Sequence, residues 1–277
     1  MDITQIFPQI IEALQFGFVQ RAVVAGCFIG VCCAVLGVFL VLRRLSLIGE
    51  GLAHFSLAPI GLALMLGIYP LYVALPMGIL ASFWILHLAH RANMYGDAAI
   101  GLVSAIGVAA GVIMASIGSG FNVDLFGYLF GDILAVNRLE SLMTIGLSFV
   151  VLLLVLLNYQ DLFAIAFDEE YAMVLGLNTV RTNQILVILT TFTVILGIKV
   201  VGIMLVSSLI IFPAVTALQL SRGFKTAIIF AVVAAICSVV LGIVLAFILN
   251  FPAGATIVLV NFVFFLISYS LKTLIKV

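Results

Sequence analysis

Apolar residues in this chain do not alternate with polar ones at a strand period, nor do they form one stripe at a helical period. They run on for about twenty positions at a time between charges, Gly/Pro breaks and polar clusters, the length a helix needs to cross a hydrocarbon core of about 30 Å. Eight such runs extend from Phe18 to Leu42, Ser46 to Leu66, Tyr69 to Leu88, Ala98 to Ser119, Leu139 to Leu157, Val180 to Ile198, Val200 to Leu220 and Thr226 to Leu249. A ninth runs from Ala253 to Leu271. Lys199 divides two of them and reads either as a tight turn or as a lysine snorkelling from a helix end. The expectation is therefore an all-α polytopic membrane protein, a single domain over residues 1–277 with about eight transmembrane helices.

Between Asn122 and Val136 the segment NVDLFGYLFGDILAV is apolar but broken by Asp124, Gly127, Gly131 and Asp132. It is too short to span and reads as a re-entrant or interfacial helix, tolerated at membrane depth only when packed on protein or lining water. Asp124 and Asp132 thereby become candidates for the pathway. Small residues at Gly26, Gly30 and Ala34, and at Gly107, Gly111, Ala115 and Ser119, form two smooth helix faces for close packing. Pro59, Pro76 and Pro213 fall inside spans, where each frees a backbone carbonyl and bends its helix. Arg43, Arg44, Arg91, Arg222 and Lys225 mark cytoplasmic loops and an external N-terminus. Lys272 and Lys276 pull the other way.

Composition sharpens this picture. Of 277 residues 66% are hydrophobic and only 8% charged, against about 25% charged in soluble domains, and the mean hydropathy is +1.44. The lipid bilayer is the main solvent. Eleven basic residues balance eleven acidic ones, so no basic field invites nucleic acid. Cys27, Cys32, Cys33 and Cys237 lie in apolar runs without Cys-x-x-Cys spacing and read as buried free thiols. The first fifteen residues lack a basic start, which suggests an uncleaved signal anchor. No phosphate-binding loop, zinc-protease helix or nucleophile elbow is present, so ATP chemistry would belong to another chain.

Ionisable groups inside a membrane are costly and are functional candidates by default. Glu50 and His54 stand four apart in LSLIGEGLAHFSLAP, which puts both on one helix face, Cβ atoms about 6 Å apart. From a start near Ser46 the helical rise carries His54 roughly 12 Å inward. Two donors hold a transition metal poorly, and two copies of the chain facing each other would supply two carboxylates and two imidazoles. The alternative is that Glu50 answers the helix dipole and His54 bonds a neighbouring helix. His87 and His90, in HLAHR, read as interfacial residues or a weak metal exit site. FDEEYAMVLGLN, from Phe167 to Asn178, reads as a short loop helix ended by Gly176, and composition alone favours a solvated connection.

On these residues the chain resembles, over nearly its whole length, the membrane permease subunit of bacterial ABC-type zinc, manganese and iron uptake systems. VLRRLSLIGEGLAHFSLAPIGLAL is similar to the family pattern R-R-x-S-x-x-G-D-x-L-x-H, with Glu50 where Asp is more common. VDLFGYLFGDILAV looks most like the zinc-uptake members. In DEEYAMVLGL, Asp168, Ala172 and Gly176 match the acidic, small and glycine positions of the family's cytoplasmic coupling loop. KVVGIMLVSSLIIFPAVTALQL, followed by FPAGATIVL, completes the likeness.

The resemblance implies a homodimer in the bacterial cell membrane, with about eight spans per subunit. It implies docking on two cytoplasmic ATPase subunits and delivery by an extracellular or periplasmic metal-binding protein. It assigns metal coordination to Glu50 and His54 and ATPase coupling to Asp168, Ala172 and Gly176. The chain would be a transporter rather than an enzyme, with no permanently bound cofactor and Zn(2+) as transported substrate, Mn(2+) or iron being the alternatives. A gradient-driven transporter would show inverted repeats, and an intramembrane metalloenzyme would need a third ligand and a base near His54; neither is evident.

Overall fold

The structure, a computed structural model, describes residues 16–91, 94–117, 128, 131 and 138–275. Twelve helices are laid out in order among them: α1 (Gly17–Leu42), α2 (Ile48–Phe55), α3 (Leu57–Met65), α4 (Pro70–Arg91), α5 (Gly96–Ile117), α6 (Arg138–Leu157), α7 (Tyr159–Phe167), α8 (Glu169–Val174), α9 (Thr179–Val201), α10 (Ile203–Leu220), α11 (Phe224–Leu249) and α12 (Ala253–Ile275). Taking α2 and α3 as one interrupted crossing, nine spans are long and apolar enough to cross a membrane among the described residues.

The count of nine turns on a glycine. Lys199 lies in the last turn of α9, not in a turn between helices. The break comes three residues later at Gly202, whose φ of 88° and ψ of 161° suit glycine and few other residues. Gly202 closes α9 by donating its N–H to the Ile198 carbonyl and opens α10 by accepting from the Val206 N–H.

Nine crossings also settle the basic residues. Counting from α1, Arg43, Arg44, Arg91, Arg181, Arg222, Lys225 and Lys272 all fall at one face of the bundle, and Arg21, Arg138 and Lys199 toward the other. Lys272 therefore agrees with Arg43 instead of opposing it. The positive-inside rule assigns the Arg43 face to the cytoplasm, and it is called the inner face below.

Packing divides the spans into a buried centre and a lipid-facing shell. Most of α1, α2–α3 and α9 is buried, as is over half of α10, while α4, α5, α6, α11 and α12 expose long apolar rows. Both small-residue faces act as seams. Gly30 meets Val239 and Ala235 of α11, while Gly107 and Gly111 take the backbone of Phe55 and Leu57. The interruption between α2 and α3 follows from Pro59, which has no N–H to give the Phe55 carbonyl. Ser56 bridges it, with its N–H donating to Leu52, its hydroxyl to the Ala53 carbonyl, and its own carbonyl accepting from Ile60.

Candidate functional site

Helix α2 is held on two sides by close contacts that glycine permits. A side chain at Gly49 would run into the Ile210 tip on α10, and one at Gly51 into the Ile100 side chain on α5. Ile48, Gly49, Gly51, Leu52, Ala53 and Phe55 are consequently buried. Glu50 is exposed and His54 half-buried, so the helix leaves uncovered the one face that carries both. Neither makes a hydrogen bond or ion pair with another described residue. The structure thus brings the two predicted ligands onto a shared open face.

With α2 starting at Ile48, the helical rise puts Glu50 about 3 Å and His54 about 9 Å along the helix from its first residue. Among the described residues no group of three or more His, Cys, Asp or Glu side chains gathers at one point. Among the described residues, Glu50 and His54 thus stand on that face without a third such side chain beside them.

The segment expected to couple to an ATPase is a pair of short helices at the inner face. Asp168 has extended backbone (φ −156°, ψ 109°) and makes the elbow between α7 and α8. Its carboxylate caps α8 by accepting from the Tyr171 N–H at 2.9 Å. Ala172 is fully buried and seats the helix on the bundle. Gly176, at φ 83°, ends it: its N–H reaches the Met173 carbonyl and the Leu177 N–H reaches Ala172, the paired bonds of a glycine C-cap. Tyr171, Met173, Val174 and Leu175 are left exposed, an apolar patch outside the lipid-facing shell.

Sequence reasoning missed what holds this segment down. The Arg43 guanidinium donates to the Ile165 carbonyl at 2.8 Å and to Glu169 Oε2 at 2.9 Å. The other oxygen of Glu169 accepts from Asn183 Nδ2 at 2.7 Å. Arg43 had signalled orientation and the start of the family pattern, Glu169 a solvated connection, and Asn183 nothing. The doubled arginine just before a span marks the position without naming its partners.

At the outer end, Lys199 Nζ lies 3.6 Å from Glu140 Oε1 and 5.2 Å from the centre of the Tyr128 ring. The Tyr69 hydroxyl donates to the same Glu140 oxygen at 3.4 Å. Burial, then the nearby Glu140 charge, holds the Tyr69 phenol above its ordinary value, so it stays a donor. These residues surround a cavity of about 40 Å³ between α3, α4, α6 and α9. Tyr128 and Gly131, the described members of segment 122–136, pack at the α9–α10 break, Gly131 directly on Val201 and Gly202. Asp124 and Asp132 lie outside the described residues.

His87, exposed on α4, faces a cleft of about 710 Å³ with Asn183 and Gln184; the His90 side chain lies outside the described residues. Cys32 and Cys33 are buried, Cys27 is half-buried and Cys237 is exposed, all as free thiols.

With this geometry in view, the comparisons with known proteins agree on one class, a helical permease of the ATP-binding-cassette type. The chain belongs to the ABC 3 transport family, whose pattern matches residues 15–272. It is 32% identical over 254 residues, 92% of this chain and 91% of the relative, to the manganese import system permease protein ScaB of Streptococcus gordonii. It is 30% identical over 262 residues, 95% of this chain and 96% of the relative, to a probable iron transport system membrane protein of Haemophilus influenzae. Among solved structures, PsaBC from Streptococcus pneumoniae in complex with Fab superposes with a TM-score of 0.86 at 30% identity, covering 95% of each chain. The chain is a multi-pass cell-membrane transport permease and not an enzyme.

Proposed function

We propose that this permease imports a divalent transition-metal ion, and that Glu50 and His54 are its ligands in a pathway between two copies of the chain. The observation that carries the reading is the open face of α2: an otherwise buried helix exposes a carboxylate and an imidazole one turn apart, an expensive arrangement in a membrane unless something charged visits it. A second copy related by a twofold axis doubles the donors. Two carboxylates and two imidazoles with added water suit manganese, and the same donors without water suit tetrahedral zinc.

Manganese is the first reading for the cargo, because relatives across almost the full length carry that metal in their names. Zinc is the second, favoured by the likeness of VDLFGYLFGDILAV to zinc-uptake members. The exposed apolar patch of α8, held in shape by Asp168, Ala172 and Gly176, is the surface on which an ATPase subunit docks. Two such subunits supply ATP hydrolysis, and an external metal-binding protein supplies the ion.

The test is uptake of labelled manganese and labelled zinc by cells carrying the chain with its ATPase and binding protein, native against His54→Ala at equal membrane abundance. Loss of uptake supports a transport ligand, and the ion lost names the cargo. Unimpaired uptake of both returns His54 to a packing role and moves the search to Asp124 and Asp132.

A further inference from the structure

We infer that Arg43 is the positioning residue that transmits movement of the ATPase-docking segment to the helix bearing Glu50 and His54, an inference that rests on the function proposed above. Arg43 grips both sides of the Asp168 elbow at once. One donor holds Ile165 at the end of α7, and another holds Glu169 in the first turn of α8. If the angle between α7 and α8 changes, at least one of these bonds must break or Arg43 must follow. The Arg43 side chain is only 10% exposed and Glu169 33%, so the charge-assisted bond is poorly replaced by water and following is favoured.

Following has a direct consequence for α2, because Arg43 to Leu47 form a stiff connector. At the end of α1, the Arg43, Arg44 and Leu45 N–H groups donate to Phe39, Val41 and Leu40. Arg44 takes the left-handed conformation, φ 57°, that closes this turn. Immediately afterwards the Ile48 N–H donates to Leu45 and the Gly51 N–H to Leu47. Backbone bonds thus run without a gap from Arg43 into the first turn of α2, where Glu50 sits. Six residues lie between the arginine and the first proposed ligand, and none is in a loose loop. Glu169 also reaches Asn183 on α9, so the elbow is anchored to a second buried helix against which the α1–α2 connector can move.

A residue that only stabilised the fold would change ATP hydrolysis and transport together. A transmitting residue changes their ratio. The experiment uses the full complex of the chain with its ATPase and binding protein in proteoliposomes, and measures ATP hydrolysed and labelled manganese accumulated in the same vesicles. For Arg43→Gln the expected result is hydrolysis near the native rate with metal moved per ATP reduced by about five- to tenfold. Arg43→Lys, which keeps the charge but replaces two separately placed nitrogens by one, falls between. The exchange Arg43→Glu with Glu169→Arg recovers part of the ratio that either single change loses.

Hydrolysis and uptake falling by the same factor in Arg43→Gln complexes of native abundance overturns the inference. So does a native ratio in Arg43→Lys, and this variant decides alone if Arg43→Gln does not assemble. Failure of the underlying function reads differently, since the native complex would then accumulate neither manganese, zinc nor iron.

Discussion

The closest test of how the bundle positions its ligand pair is a single methyl group at Gly107. An added Cβ there would lie 2.9 Å from the Phe55 carbonyl oxygen and 3.0 Å from its carbon, and closer still to Phe55 Cα. All three are backbone atoms of the residue after His54, so no side-chain rotation relieves the clash. Restoring ordinary contact, which begins at 3.4 Å, requires α2 and α5 to part by at least 0.5 Å from the oxygen alone. Overpacking of this kind costs about 1–3 kcal/mol, offset by about 1 kcal/mol of improved helix propensity. Gly146 on α6 provides the control, because a Cβ there meets nothing within 4 Å. Both variants share the propensity gain, so the difference between them isolates the overpacking. Thermal unfolding of the purified protein in detergent and metal uptake in cells are the two readouts. Gly107→Ala melts lower and transports less than Gly146→Ala. Equal melting and equal uptake in the two variants would refute the claim that the α5 seam fixes the α2 position.

Other substitutions probe the two ends of the bundle. Gly176→Val forces a side chain into φ 83° at about 1–2 kcal/mol, so uptake falls while membrane abundance measured by blotting is kept; Gly176→Asn is milder because Asn tolerates that conformation. At the outer face, Lys199→Met removes the ammonium that lies 3.6 Å from the largely buried Glu140 carboxylate, and melting drops more than in the Lys199→Met, Glu140→Met double variant, which removes both charges. Gly202→Ala, at φ 88°, loosens the α9–α10 break and speeds protease cleavage there, as mass spectrometry of the fragments would show.

Most of the architecture was legible because the membrane writes it in coarse letters. Runs of about twenty apolar residues become helices almost without regard to neighbours, and the nine runs reappear with ends shifted by a few residues. The spacing of Glu50 and His54 was equally readable, since i and i+4 share a face on any helix. Which face stays open was not, because that depends on Ile210 and Ile100 filling the space beside Gly49 and Gly51. The Lys199 boundary was ambiguous for a related reason. A lysine marks the approach to an interface, while the reversal needs a backbone conformation that belongs to Gly202. Arg43, Glu169 and Asn183 come together across 126 and 14 residues of sequence, and no local pattern announces a bond of that reach.

The open face of α2 also makes a prediction about stoichiometry. A site built within one chain would bind one ion per chain, whereas in the proposed site, with no third acidic, histidine or cysteine side chain gathered nearby among the described residues, two chains share one. Titration of manganese and of zinc into the purified permease should therefore give one ion for every two chains. Glu50→Gln in every copy should abolish that binding while leaving the thermal stability of the metal-free protein nearly unchanged, because the Glu50 side chain bonds no other described residue. A transported ion must also leave, so affinity should be modest and fall further when Glu50→Asp shortens the carboxylate arm and withdraws the oxygen by about 1.5 Å. One ion per chain, or a large loss of metal-free stability in Glu50→Gln, would show that the carboxylate serves the single chain and that the shared site is wrong.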